Sequence, residues 1–293
     1  MLTRQKIVLA LLSQAKKPLN RLVLVKLVFL LRNETNLKQD QTFYDFVPYK
    51  YGPFSFSLYR ELSNLQRDGY IEADDEHIFL CDNSNGLYKQ KIDELPSSIH
   101  NAVIEVLSKY KRTSQKDLIR DVYSRYPWYA TKSELTDLKP NSTSQTKQAI
   151  HAVFTIGYQE KSVDAFFNSL LKERIELIID VRANPISRRY GFSKKQLYEI
   201  ATKLGLQYCH KPKLGIRSEY RANLTNFSSY QALLNEYEFI MLPKHDNEIE
   251  EVNSLMMQRS SVLVCYEKDI RCCHRSRLAK VIALRTGLNI MHL

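Results

Sequence analysis

Apolar residues recur at intervals of three and four along the first part of the chain, which predicts amphipathic helices. The first two stripes lie within residues 7–12 and 24–31, and a third lies within residues 58–65. The pattern predicts a hairpin with strands at about 70–72 and 78–80, and two more helices at about 97–110 and 114–126. Three helices followed by a hairpin form a winged-helix arrangement. We therefore expect residues 1–136 to be a mostly helical, winged-helix-like domain.

The third predicted helix has a polar face opposite its apolar stripe. This face carries Arg60, Asn64 and Arg67. Two cations and an amide on one helix face are typical of a helix that enters the major groove of DNA. The alternative is an ordinary solvated face, because the acidic residues 73–76 of the adjoining hairpin would repel phosphate.

A different hydrophobic period begins after a polar, Pro-containing run at 137–150, which reads as a linker. Short apolar runs at about 152–156, 176–181, 206–209, 261–265 and 288–292 alternate with helical patterns at about 163–174, 193–204, 230–241, 248–259 and 274–286. Alternating strands and helices predict an α/β domain over residues 151–293 with a mainly parallel sheet. The overall prediction is an α+β chain of two domains.

Polar residues follow the predicted strands of this second domain where each strand ends. Ligands of open parallel sheets bind at the carboxyl ends of the strands, so we expect these side chains to converge. The candidates are Tyr158, Asp180, Arg182, Ser187, Arg188, Arg189, Cys265, Glu267, Cys273, His274 and Arg275.

These residue types suggest nucleophilic chemistry on an anionic ligand. Cys273 lies at the predicted start of the last helix, where unpaired backbone N–H groups and nearby arginines favour a thiolate. Cys265 or Cys273 would be the nucleophile, and Glu267 or Asp180 would transfer protons. These roles have structural alternatives, because a cysteine that ends a buried strand is usually a small apolar core residue, and Asp180 could instead cap a neighbouring turn or pair with Arg182. The two thiols could also form a reversible disulfide.

Charge narrows the choice of ligand. The 293 residues carry a net charge of +11, which favours a polyanionic partner such as nucleic acid or a nucleotide. With 8 glycines the chain has neither a G-x-x-x-x-G-K-[ST] loop nor a G-x-G-x-x-G loop. Arginines and a helix N-terminus would therefore have to hold a phosphate group.

Cysteine usage and hydropathy bear on compartment and metal binding. We expect a cytoplasmic protein with reduced thiols, because the start of the sequence lacks a secretory leader pattern and the most apolar run is too short to span a membrane.

Zinc could be held by Cys265, Cys273 and His274 with Cys209 or His210. The sequence lacks paired C-x-x-C spacing, so no metal and no cofactor is predicted.

The first domain resembles the Panacea family, the SocA-like antitoxins. The resemblance rests on the early helix at 22–31, the sequence KYGPFS at 50–55 with Leu58 and Tyr59, and the pair Pro127 and Trp128. The family implies recognition of a protein partner, often a toxin or effector, rather than catalysis. It also implies a role in prophage, toxin–antitoxin or antiviral defence.

The second domain resembles the family called domain of unknown function 488. The matching residues are TIGY at 155–158, DVR at 180–182 with Pro185 and Ser187, then Phe192, Tyr208, the pair at 214–215, and CYE at 265–267 followed by CHR at 273–275. The family's recurrent cysteines imply enzymatic activity of no established general type, and Cys273 is the matching thiol while Cys272 is an extra one. Residues 178–182 also resemble part of the rhodanese sulfurtransferases.

Three hypotheses follow for the function. In the first, the second domain binds a phosphate-bearing ligand and acts on it with a cysteine nucleophile, while the first domain recognises DNA or a protein. In the second, the chain is a non-catalytic antitoxin or adaptor with structural cysteines. In the third, a rhodanese-like thiol transfers sulfur through a persulfide.

Overall fold

The computed structural model describes residues 1–81, 87–139, 151–221, 224 and 226–293. The chain divides into two compact units, residues 1–146 and 147–293. A short 3-10 helix at Thr136–Leu138 occupies the beginning of the predicted linker, and residues 140–150 of that linker lie outside the described residues. Across the described ranges, no helix is long and apolar enough to cross a membrane.

The first unit is rich in helices, as the hydrophobic pattern predicts. Its helices are α1 (Thr3–Ala15), α2 (Arg21–Glu34), α3 (Phe56–Arg67), α4 (Leu87–Asp93), α5 (Ser97–Tyr110) and α6 (Gln115–Arg125). Its strands are β1 (Leu19–Asn20), β2 (Val47–Tyr49), β3 (Gly52–Phe54), β4 (Ile71–Ala73) and β5 (His77–Leu80). The predicted hairpin is β4–β5, and β1 extends it to a three-stranded antiparallel sheet. Classification as a winged helix stays a prediction.

A buried lysine supports the hairpin of β2 and β3. Lys26 of α2 is 1% exposed, and its Nζ donates hydrogen bonds to the carbonyl oxygens of Tyr51 at 2.5 Å and Pro53 at 3.3 Å. Burial lowers the pKa of Lys26 to about 7, because the charged ammonium loses its hydration. Gly52 supplies the positive φ of 92° at this turn, which favours glycine over residues with a side chain.

The second unit is an α/β domain. Its strands are β6 (Val153–Gly157), β7 (Leu177–Asp180), β8 (Gln207–His210), β9 (Ser261–Cys265) and β10 (Ile290–His292). Its helices are α7 (Val163–Lys172), α8 (Lys194–Lys203), α9 (Phe227–Glu236), α10 (Asp246–Gln258) and α11 (His274–Thr286). A π-helical turn at Tyr237–Met241 continues α9, so the helix predicted over 230–241 has two segments.

The five strands form one sheet in the order β10-β6-β9-β7-β8, and every pair is parallel. The central strands β6, β7 and β9 are buried along their whole lengths. On one face, Ile179 and Leu263 join the apolar core that α10 and α11 complete with residues such as Val252 and Leu278. The sheet thus predicted from alternating strands and helices is confirmed, and it brings Gly157, Asp180 and Cys265 to one edge.

Candidate functional site

A cavity of about 360 Å³ opens at the carboxyl edge of this sheet. Side chains from β9, from the segment after β7 and from the 3-10 helix at Ser218–Arg221 line it. The lining residues include Tyr158, Arg182, Ser187, Arg188, Arg189, Arg221, Cys265, Tyr266 and His274. The rule that ligands bind at this edge of a parallel sheet makes the cavity the first candidate for a binding site.

A buried ion pair supports one wall of the cavity. Arg182 donates to both carboxylate oxygens of Asp180, at 2.8 Å and 2.6 Å, and both side chains are almost completely buried. The hydroxyl of Tyr208 donates to the same carboxylate at 2.8 Å. Arg182 also donates to the hydroxyl of Tyr158 and to the carbonyl of Phe192. Because its oxygens are occupied, Asp180 orients Arg182, and it is not among the residues that line the cavity.

Two cysteines, a glutamate and a histidine form a compact cluster at the end of β9. The Sγ atoms of Cys265 and Cys273 each lie 3.0 Å from Oε2 of Glu267. The Sγ atom of Cys265 is also 3.6 Å from Nδ1 of His274. All three side chains are buried, but Cys265 and His274 line the cavity, whereas Cys273 does not. The thiol that faces the cavity is therefore Cys265.

Hydrogen bonds from outside the cluster orient two of its members. Arg221 donates from Nη1 to Oε1 of Glu267 at 2.6 Å, which turns Oε2 towards the two thiols. Nε2 of His274 lies 3.1 Å from the carbonyl oxygen of Val181 and donates to it, so Nδ1 is an acceptor when the ring is neutral and a donor towards Cys265 when the ring is protonated. Nη2 of Arg221 lies 3.2 Å from that Nδ1 atom.

The cluster shifts the pKa values of its members in different directions. Burial opposes ionisation of Cys265, but a hydrogen bond from Cys273 and the charge of His274 hold the Cys265 pKa well below its usual value. Burial and the neighbouring Cys265 raise the pKa of Cys273 well above its usual value. Burial, reinforced by the charge of Cys265, also raises the pKa of Glu267. Of the two thiols, Cys265 therefore has the lower pKa.

The loop that carries Glu267 is held against β6 by a close backbone approach. A Cβ atom at Gly157 would overlap the carbonyl group of Glu267, so only glycine fits there. Arg275 is 2% exposed and donates from Nη1 to the same carbonyl oxygen at 2.5 Å. Among the described residues, Nε of Arg275 has no hydrogen-bond partner. Arg275 thus positions the loop rather than lining the cavity.

The remaining arginines give the cavity rim its charge. Arg188 is exposed, and within the described ranges no carboxylate pairs with it. Arg189 donates from Nη2 to the carbonyl oxygen of Lys161 at 2.6 Å, and its backbone N–H donates to Oγ of Ser187 at 3.2 Å. The positive charges of Arg188 and Arg189 are therefore available to an anion in the cavity.

Some of the predicted site residues lie outside the cluster, and Arg221, which contacts two members of the cluster, was not predicted. Cys209 and His210, the alternative zinc ligands, are on β8, where His210 bonds to the carbonyl of Arg182. Arg60, Asn64 and Arg67 lie on α3 of the first unit. Arg221 was missed because it is 46 residues from Glu267 and follows no predicted strand. The signal in the sequence that points to Arg221 is its position a few residues after the matching pair at 214–215.

The geometry defines an α/β domain with a thiol, carboxylate and imidazole cluster at the carboxyl edge of a parallel sheet. Residues 162–282 match the family model described as "Domain of unknown function DUF488". The second unit therefore contains a DUF488 domain, as its sequence motifs indicate. No curated protein and no solved structure matches the chain. The resemblance of the first unit to the Panacea family stays a prediction.

Removing the charge of Asp180 tests whether the buried ion pair holds this edge together. We expect Asp180→Asn to lower the free energy of unfolding of the second unit by about 3–5 kcal/mol, because Arg182 keeps a buried, uncompensated charge. The control is Asp269→Asn, which breaks an exposed pair with Arg271 and should cost about 1 kcal/mol or less. Hydrogen exchange of β7 and β9 peptides in increasing urea measures both. Similar losses in the two variants would contradict the structural role of Asp180.

Proposed function

We propose that the second unit binds a phosphate-bearing ligand, a nucleotide or a nucleic acid, in the cavity at the carboxyl edge of its sheet. The observation that carries the proposal is the meeting of arginine side chains with the Cys265 thiol and the His274 imidazole around one cavity. Guanidinium groups bind phosphate with paired hydrogen bonds, so arginine suits this ligand better than lysine would.

The balance of charge around the cavity supports an anionic ligand. Asp180 compensates Arg182, and Glu267 compensates Arg221. Arg188 and Arg189 remain, and each lines the cavity. Tyr158 adds an aromatic side chain, stacked on Phe192 with the ring centroids 4.2 Å apart. A ligand with negative charge and a planar base would find complementary groups in this cavity.

In the proposed chemistry, Cys265 is the nucleophile. Its Sγ atom would form a bond to the electrophilic centre of the ligand while the bond to the leaving group breaks. The leaving group departs with the bonding electrons and takes the proton that Cys265 has passed to Glu267, whose Oε2 lies 3.0 Å from the same sulfur. Attack by water on the covalent intermediate then releases the second product with the hydroxyl group and returns the remaining proton to Cys265. Asp180 and Arg275 act as positioning residues in this scheme.

The first unit would supply recognition of DNA or of a protein partner. Support comes from α3, where Arg60 and Arg67 are exposed and Asn64 is half-buried, on the face opposite the core residues Leu58, Leu62 and Leu65. Such a face fits a nucleic-acid groove or an acidic protein surface. Resemblance to the Panacea family favours the protein partner, and with it the antitoxin or adaptor alternative and a role in phage defence.

Neutralising Arg188 and Arg189 tests the binding site. We expect Arg188→Gln combined with Arg189→Gln to weaken binding of a mononucleotide at least tenfold, because both guanidinium groups that would bind phosphate are removed. With a short single-stranded oligonucleotide, the slope of log K against log salt should fall by about 1.4, or about 0.7 for each phosphate that an arginine no longer neutralises. Fluorescence titration of the full chain measures both.

The matched control for this experiment is Arg174→Gln. Arg174 is an exposed arginine that precedes β7 at the amino end of the sheet. This variant removes one positive charge, as each of the two cavity substitutions does. It should bind nucleotide within about twofold of the unchanged chain, because contacts with phosphate rather than net charge dominate the affinity. Failure of the unchanged chain to bind any nucleotide, DNA or RNA would refute the proposal, as would an equal weakening in the control.

Alkylation tests whether Cys265 faces the bound ligand. In metal-free protein, iodoacetamide should modify Cys265 faster than Cys273, because Cys265 lines the cavity. A saturating nucleotide should slow the modification of Cys265 at least fivefold and leave Cys81, in the first unit, unchanged. Peptide mass spectrometry follows each site. Equal rates with and without nucleotide would contradict the assignment, and a persulfide on Cys265 after thiosulfate treatment would favour the sulfurtransferase alternative.

Substitutions on α3 separate the two roles of the first unit. If α3 reads DNA, Arg60→Gln combined with Arg67→Gln should weaken binding of duplex DNA about tenfold and leave mononucleotide binding unchanged. Lys116→Gln, on α6 of the same unit, serves as the control for charge. An electrophoretic mobility-shift titration measures the effect. Unchanged duplex binding in the α3 variant would reject DNA reading by this face and leave the protein-partner role.

A further inference from the structure

We propose that Cys265, Glu267, Cys273 and His274 together bind one thiophilic divalent metal ion, of which Zn²⁺ fits best. We also infer that the bound ion blocks Cys265. The metal site stands on its own geometry, whereas the blocking role rests on the proposed function.

The spacing of the four donor atoms carries this inference. The two Sγ atoms, one carboxylate oxygen of Glu267 and a ring nitrogen of His274 all lie within 4.8 Å of one another. Tetrahedral Zn²⁺ with bonds of about 2.0–2.3 Å places its donor atoms roughly 3.3–3.8 Å apart. The observed separations are 3.0 Å from each sulfur to Glu267, 3.6 Å from Cys265 to His274 and at most 4.8 Å for any pair, so they lie on both sides of that range. Movements of about an ångström or less would therefore complete the coordination.

Hydrogen bonds already orient two of the donors as metal ligands require. Nε2 of His274 donates to the carbonyl of Val181, so the lone pair of Nδ1 points into the cluster. Arg221 holds Oε1 of Glu267 and leaves Oε2 for the ion. Backbone carbonyls and charged side chains are the usual outer partners of metal-binding imidazoles and carboxylates. Nη2 of Arg221, now 3.2 Å from Nδ1 of His274, would have to move aside when the ion binds.

The charges in the cluster suit a divalent cation. Two thiolates and one carboxylate carry three negative charges, so a divalent ion leaves one negative charge, which Arg221 compensates from its position beside Glu267. Thiolate ligands select Zn²⁺, Co²⁺ or Cd²⁺ over Mg²⁺ and Ca²⁺. Cys265, Cys273 and His274 are each buried, which keeps water from competing with them.

Four protein ligands make a closed site. Catalytic zinc keeps a position open for water, whereas structural zinc is surrounded by four side chains. Binding forms two metal–sulfur bonds and releases to solvent any proton that the two sulfurs, the Glu267 carboxylate and Nδ1 of His274 carry, with no change in oxidation state. The electron pair that Cys265 would use for attack is then shared with the metal. Metal binding and nucleophilic attack therefore exclude one another, and a chelator restores the thiol.

Cobalt spectroscopy of the full chain, freed of metal with a chelator and kept under a reductant, tests the metal site. We expect Co²⁺ to bind at one ion per chain and to give both the thiolate charge-transfer absorption and the intense visible bands of tetrahedral Co²⁺. Zn²⁺ should displace it. Cys272→Ser, which alters the adjacent thiol outside the cluster, should leave the spectrum unchanged. Cys273→Ser should weaken Co²⁺ binding at least tenfold and reduce the charge-transfer absorption.

A second variant distinguishes weaker metal binding from loss of the fold. Glu267→Gln keeps both thiols, so it should retain charge-transfer absorption while binding Co²⁺ more weakly. Circular dichroism of each metal-free variant checks its fold. Absence of the tetrahedral bands from the unchanged chain would overturn the metal site, as would the same bands in a Cys265→Ser and Cys273→Ser double variant.

Alkylation of the zinc-loaded chain tests the blocking role. Zn²⁺ should slow the modification of Cys265 by iodoacetamide at least tenfold, and a chelator should reverse the effect. Bound Zn²⁺ with an unchanged rate would overturn the blocking role. Nucleotide binding to the metal-free chain is measured in parallel. If nucleotide binds but Co²⁺ does not, only this inference fails; if Co²⁺ binds but nucleotide does not, the proposed function fails and the metal site stands.

Discussion

The buried ion pair of Asp180 and Arg182 is the interaction on which the edge of the sheet depends. Two charges removed from water must satisfy one another, and here the guanidinium binds both carboxylate oxygens. The same pair fixes Tyr158 through its hydroxyl, and the backbone carbonyl of Arg182 accepts a hydrogen bond from His210. The ion pair therefore sets the wall of the cavity and the register of the loop after β7.

The cluster of two thiols, a carboxylate and an imidazole depends on this ion pair through backbone rather than side-chain contacts. Val181, between the two charged residues, offers its carbonyl to His274 and so sets which ring nitrogen faces the thiols. On the other side, Arg275 and the absence of a side chain at Gly157 fix the backbone of Glu267. A cluster held from both sides presents its thiols, carboxylate and imidazole in a fixed geometry. Such preorganisation would suit either the nucleophilic attack or the metal binding that we propose.

Much of this was predictable from sequence, because the hydrophobic period of each unit is clear. Alternation of short apolar runs with helical patterns predicted β6–β10 and their helices along the chain. The rule that ligands bind at the carboxyl edge of a parallel sheet predicted that Cys265, Glu267 and Cys273 lie close together. The short strands β1, β2 and β3 were not predicted, since two or three residues show no period. Arg221 joins the site through tertiary folding alone. The pairing of Asp180 with Arg182 was an alternative that the sequence offered, whereas the hydrogen bond from Tyr208 to Asp180 arises through tertiary folding.

A crystal structure of the metal-free chain with a bound nucleotide would test the proposed binding site most directly. We expect phosphate oxygens within hydrogen-bond distance of Arg188 or Arg189, with the Sγ atom of Cys265 facing the ligand. A nucleotide bound elsewhere on the second unit, with this cavity holding no part of it, would refute the proposed site.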